Sequence, residues 1–167
     1  MINWEFVATI AEVIGALGVI ASLIYVARQL KVAHTSAADA NRLTRATGVH
    51  ETMLTAAAND ELRKSVTKAY GFDDYYETMA ADLNLSTDEA ARADMHSASY
   101  FWLHWGQFAS TTNEADLEEL RQFLRAYTIP GFRYSWDNSP FAKKSMDPRF
   151  VEFVDTTLAE YDRESGR

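Results

Sequence analysis

Cysteine is absent from the 167 residues of this chain, which removes disulfide frameworks, thiol nucleophiles and thiolate metal sites in one step. Glycine occurs only 7 times, and neither a phosphate-cradling glycine loop nor a Gly-x-Ser-x-Gly elbow is present. No segment shows the strict apolar/polar alternation of a strand flanked by hairpin signals, and there is no internal repeat. The four histidines stand at His34, His50, His96 and His104, none three residues after a glutamate, so the helical Glu-x-x-His ligand pattern is missing. No lysine or arginine precedes Arg28, so the start of the chain lacks the basic n-region of a cleaved signal peptide.

What is present is an apolar run. Phe6 to Ala27 spans 22 residues with one charge, Glu12, and at about 1.5 Å per residue it reaches roughly 33 Å, enough for a bilayer core. The run has no histidine, so an axial haem ligand cannot come from it by that route. Trp4 and Tyr25 bracket it, where amphipathic rings favour the headgroup level. Ala11, Gly15, Gly18 and Ser22 recur at helical spacing and form a smooth stripe on which another helix can pack closely. Glu12 is costly in hydrocarbon unless neutral, near an interface or paired with a cation on a partner span.

Charge is unevenly placed along the chain. The net charge of -8 divides into -2 over residues 1–27, +3 over residues 28–68 and -9 from residue 69 onward. Basic residues that flank a span are retained on the cytoplasmic side, so the expected topology has the N-terminus outside and the remaining chain in the cytoplasm. The only basic region adjoins the span, which disfavours nucleic acid as a partner. Competing readings are a signal peptide and a first helix buried in a soluble bundle.

Beyond Ala27 the pattern stays helical. The expected division is an anchor at 1–27, a juxtamembrane amphipathic helix at 28–58 and an acidic helical domain at 59–167. Asn59-Asp60 punctuates the chain, a short helix runs from Glu61 to Tyr70 before Gly71, and Phe72 to Leu83 reads as another short piece. Ser86-Thr87-Asp88-Glu89 offers a cap and first-turn acids for a helix to Ala109, whose Met95, Ala98, Phe101, Trp102, Trp105 and Phe108 form the central core stripe. Asn113 caps a helix expected to run to Thr128 and end at Pro130-Gly131, leaving Phe132 to Lys144 as an aromatic connection. Asp147-Pro148 opens the last helix. The fold class expected is all-α: an N-terminal transmembrane helix followed by a small cytoplasmic helical bundle.

Chemistry-bearing clusters are few. His96 and His104 can share a face with Tyr100 between them, as polar edges of a packed aromatic helix or as ligands. Asp73, Asp74 and Glu77, and likewise Glu114, Asp116, Glu118 and Glu119, read as solvated first turns that complement the helix dipole. Arg133, Tyr134 and Trp136, with His104, are the one set in which a cation and several rings could line a pocket between helices. No catalytic residue, metal or cofactor is assigned, and an enzyme is the lesser reading.

The opening Asn-Trp-Glu, LIYVARQLK at 23–31, AND-EL at 58–62, PGFRYSW at 130–136 and DPRFVEFVD at 147–155 resemble a family of small bacterial single-pass membrane-anchored helical proteins without an established activity. The family pattern continues after the anchor as Gln-x-Arg-x-Asn-Thr and carries Pro-Gly-x-Arg-x-Trp-Trp. This chain departs from it at LKVAHT, residues 30–35, and at Ser135-Trp136. The resemblance implies an inner-membrane location and topology and adds no mechanism. The functional expectation is an accessory subunit that contacts lipid, docks to a membrane protein or a second copy through Ala11, Glu12, Gly15, Gly18 and Ser22, and presents the acidic domain to the cytoplasm. A membrane-tethered ligand-binding or enzymatic module is the alternative, and a soluble helical protein is a third.

Overall fold

In a computed structural model the described residues are 4–111 and 113–166, without the side chains of Trp4 and Phe6. The expectation for the Trp4 ring therefore lies outside the described residues. Those residues form seven α-helices joined by short connections and two 3-10 turns, with no strand among them. The chain divides into two compact units, residues 1–40 and 41–167. The first helix, α1 (Trp4–Ala58), supplies residues to both.

In the first unit every described residue from Val7 to Ser36 is exposed. Large apolar side chains are turned outward on the faces beside the stripe of Ala11, Gly15, Gly18 and Ser22, among them Ile14, Leu17, Leu23 and Leu30, each at least 60% exposed. Its hydroxyls bond to the helix itself: Thr9 Oγ1 donates to the Glu5 carbonyl at 3.0 Å and Ser22 Oγ to the Gly18 carbonyl at 2.8 Å. Over residues 7–27 these two hydroxyls are satisfied by the helix itself, and Glu12 is the one charged group on an otherwise largely apolar exterior.

In the second unit the capping chemistry sets most boundaries. Asn59 accepts the Leu62 N–H at the start of α2 (Asp60–Tyr70), which ends at Gly71 with φ 69°. That left-handed value suits glycine, which has no Cβ to clash. A second short helix, α3 (Asp73–Leu83), ends on Asn84 in the same conformation. Ser86 and Glu89 form a reciprocal capping box at the start of α4 (Thr87–Ser110), which satisfies two otherwise orphaned donors. Asn113 caps α5 (Glu114–Leu124) through the Asp116 N–H. Asp147 caps α7 (Pro148–Glu164), with proline in the first turn where no N–H is required.

One stretch differs from its sequence reading. The helix after Asn113 stops at Leu124 and tightens into a 3-10 turn over Arg125–Thr128, and Pro130-Gly131 begins a helix rather than ending one. Proline pushes the preceding Ile129 into extended backbone, φ -68° and ψ 135°, which breaks the earlier helix. The same ring then fits the first turn of α6 (Pro130–Asn138). The aromatic segment is therefore largely helical.

Helix α4 lies at the centre of this unit. Its Ala98 and Phe101 join Leu124, Tyr127, Trp136, Phe150, Val154 and Leu158 in the main core. Residues 41–58 of α1 cross α4 closely: Ala46 is fully buried, and a Cβ added to Gly106 would collide with the Ala46 methyl. Ala56 and Ala57 pack with Met95 one face further along. Each large core side chain contributes about 1.5–3 kcal/mol by leaving water.

Candidate functional site

The stripe proposed for helix docking lies on the exposed apolar helix. Ala11, Glu12, Gly15, Gly18 and Ser22 are all exposed, and nothing stands within 4 Å of a Cβ built on Gly15 or Gly18. Among the described residues one helix is long and apolar enough to cross a membrane by length and composition, and none of its most apolar 18-residue window is buried.

The four residues proposed for a pocket have different surroundings. His104 and Trp136 are buried and both rings pack on Tyr127, with centroids 5.7 Å from it in each case. Arg133 lies in an ion pair with Asp137 at 3.0 Å and another with Asp162 at 3.3 Å. Tyr134 leans toward Tyr75 of α3, 6.5 Å between centroids. Trp136 donates its indole N–H to Asp155 at 2.8 Å, and Lys143 joins the same carboxylate at 2.9 Å. Tyr127 therefore brings His104 and Trp136 together, while Arg133 and Tyr134 serve other contacts.

His104 Nδ1 stands 3.0 Å from the Tyr127 hydroxyl. Burial, with a smaller effect from nearby His50, pushes the imidazole down to about 4, and burial raises the Tyr127 phenol. A neutral imidazole and a protonated phenol are satisfied when the phenol O–H donates to Nδ1. Three of the histidines surround one ring: Tyr100 lies 5.8, 5.1 and 6.0 Å from His50, His96 and His104. Among the described residues no group of three His, Asp or Glu side chains is placed to hold a metal ion.

Two buried polar centres escaped the sequence reading. Arg63, 1% exposed, donates to Asp88 at 2.7 Å, to Asp60 at 2.7 Å and to the Ala57 carbonyl at the end of α1 at 2.8 Å. It joins the end of α1, the start of α2 and the first turn of α4. Hydrogen bonding from Arg63 holds the Asp88 carboxyl below the usual range. The second centre is Asp94, fully buried on α4. Tyr75 donates to it at 2.9 Å, Tyr76 at 3.3 Å and Ser139 at 3.0 Å. Ser135 stands beside the same carboxylate, but its hydroxyl closes no hydrogen bond. Burial pushes the Asp94 carboxyl up to about 6, with the hydroxyls pulling the other way. Burial and the neighbouring carboxylate raise both phenols, so they remain protonated donors.

One signal for Asp94 was legible: it falls four residues after Ala90 and four before Ala98, on the helix face that also carries the core. For Arg63 only Asp60, three residues before it, was within local reach, while its other carboxylate partner Asp88 is 25 residues away. Comparison with known proteins finds no family model, no curated protein and no solved structure that matches this chain.

Proposed function

We propose that this chain is a single-pass membrane-anchored accessory subunit, with the apolar helix in the bilayer, the N-terminus outside and the helical domain in the cytoplasm. The observation that carries this reading is the exposed apolar surface of residues 7–27. Water penalises such a surface by about 25 cal/mol per Å², whereas a bilayer accepts it, and a contiguous apolar exterior marks a membrane or interaction site. The hydroxyls of Thr9 and Ser22 bond to the helix's own backbone, as hydrocarbon requires, which leaves Glu12 as the charge to be met by a partner. The orientation rests on Arg28, Lys31, Arg42 and Arg45, which follow the span with only Asp39 between them. The resemblance to small membrane-anchored helical proteins points the same way.

The partner in this reading is another membrane helix, from a second copy or a larger complex. The smooth stripe at Ala11, Gly15, Gly18 and Ser22 permits close approach, and Glu12 offers a carboxylate to a cation on the facing span. Because the chain has no cysteine, single-cysteine variants report topology cleanly. A Ser165→Cys protein in sealed cells should react with an impermeant maleimide only after permeabilisation; labelling of intact cells contradicts the orientation. Cross-linking in mild detergent should trap an assembly that Gly15→Leu with Gly18→Leu weakens, and unchanged cross-linking removes the stripe from the reading.

A further inference from the structure

Asp94 is a carboxylate with no exposure and with hydroxyls as its hydrogen-bond donors. None of the ion pairs among the described residues includes it. The elements packed on it bring Tyr75 and Tyr76 from α3, Tyr134 and Ser135 from α6, and Ser139 from the segment after α6; Asp82 of α3 lies behind Tyr134. Ser139 also accepts the Phe141 N–H at 3.2 Å, which leaves its hydroxyl proton for the carboxylate. Three hydroxyl protons therefore converge on the carboxylate, an arrangement suited to its ionised form.

A neutral carboxyl at the same place would carry one proton of its own and need an acceptor. Ser135 provides one. It is fully buried beside Asp94, close enough for its hydroxyl to help stabilise the ionised carboxylate, but it makes no hydrogen bond of good geometry. A buried hydroxyl left in this way is uncommon in a packed domain, and it is placed to accept the proton of a neutral Asp94 carboxyl.

We infer that Asp94 is a reversible proton-binding latch of the helical domain. When ionised it holds α3 and the segment after α6 to α4 through charge-assisted bonds; when neutral it donates a hydrogen bond to Ser135, and the three incoming bonds become ordinary neutral ones. Burial outweighs those charge-assisted bonds, so folding favours the neutral carboxyl, whose folded value near 6 lies above the ordinary 3.8. The contribution to stability is complete below about 3.8 and is lost as pH rises through about 6. His104 titrates in the opposite sense, so the latch is read from the difference between two proteins and not from one curve.

The test uses the full chain in mild detergent, with urea unfolding of wild type and Asp94→Asn followed from pH 4.5 to 8. The ratio of their unfolding constants should change by roughly thirtyfold across that range, with its midpoint near 6. A ratio that stays flat overturns the latch. Tyr76→Phe serves as a second variant, because removing one donor to the ionised form must move the Asp94 midpoint to higher pH. The side-chain carboxyl carbon, followed by NMR, reads that midpoint directly. If Asp94→Asn does not fold, a Tyr76→Phe midpoint equal to that of wild type overturns the latch by itself.

Discussion

The two units of this chain solve the same problem in opposite directions. In the first unit the described apolar side chains from Val7 onward face outward and the hydroxyls of Thr9, Ser22 and Thr35 bond back to the helix. In residues 41–167 the aromatic rings turn inward, and charged groups such as Arg63 and Asp94 are buried with partners from other helices. The contrast is one of solvent. The first unit is built as though its surroundings were hydrocarbon, the second as though they were water.

The largest expected effect breaks the first half of that comparison. Leu17→Arg places a charge at mid-span, at about 2.5–3.5 kcal/mol on insertion scales, and should shift the protein out of the membrane fraction while the domain keeps its helical circular dichroism. A milder pair sharpens it. Leu124→Ala opens a cavity in the main core and should cost about 2–5 kcal/mol in urea unfolding, whereas Leu17→Ala should leave the urea midpoint of the domain unmoved.

Arg63→Ala should cost about 3 kcal/mol. That is the low end for a buried pair, because Asp88 keeps 43% of its side chain in solvent and is partly screened. A urea midpoint within error of wild type would show that the junction of α1, α2 and α4 holds without it. For His104 the depressed folded value means a contribution fully present above the ordinary 6.5 and lost as pH falls through about 4. Relative to His104→Asn, wild type should lose about 2 kcal/mol between pH 7.5 and pH 4.5, read from paired unfolding curves. The smallest effect is expected at a cap: Asp147→Ala should cost about 1 kcal/mol.

Much of the fold was legible because capping chemistry is local. Asn59, Gly71, Ser86 with Glu89, Asn113 and Asp147-Pro148 each act within a few residues, and the helices begin or end on them. Pro130-Gly131 misled because one proline does two jobs: it breaks the helix before it and nucleates the one after. The buried centres were harder. Asp94 gathers donors 18, 19 and 45 residues distant, and no spacing rule within one helix reaches them. The pocket grouping paired residues by chemistry alone. Arg133 turned to Asp137 and Asp162 and Tyr134 toward α3, while His104 and Trp136 met on Tyr127.

The central claim is that residues 7–27 belong in a bilayer, and alkaline carbonate extraction of membranes from cells making the full chain tests it most directly. The protein should remain in the pellet after extraction and leave it only on addition of detergent. Release into the soluble fraction by carbonate alone contradicts the anchor, and with it the proposed subunit.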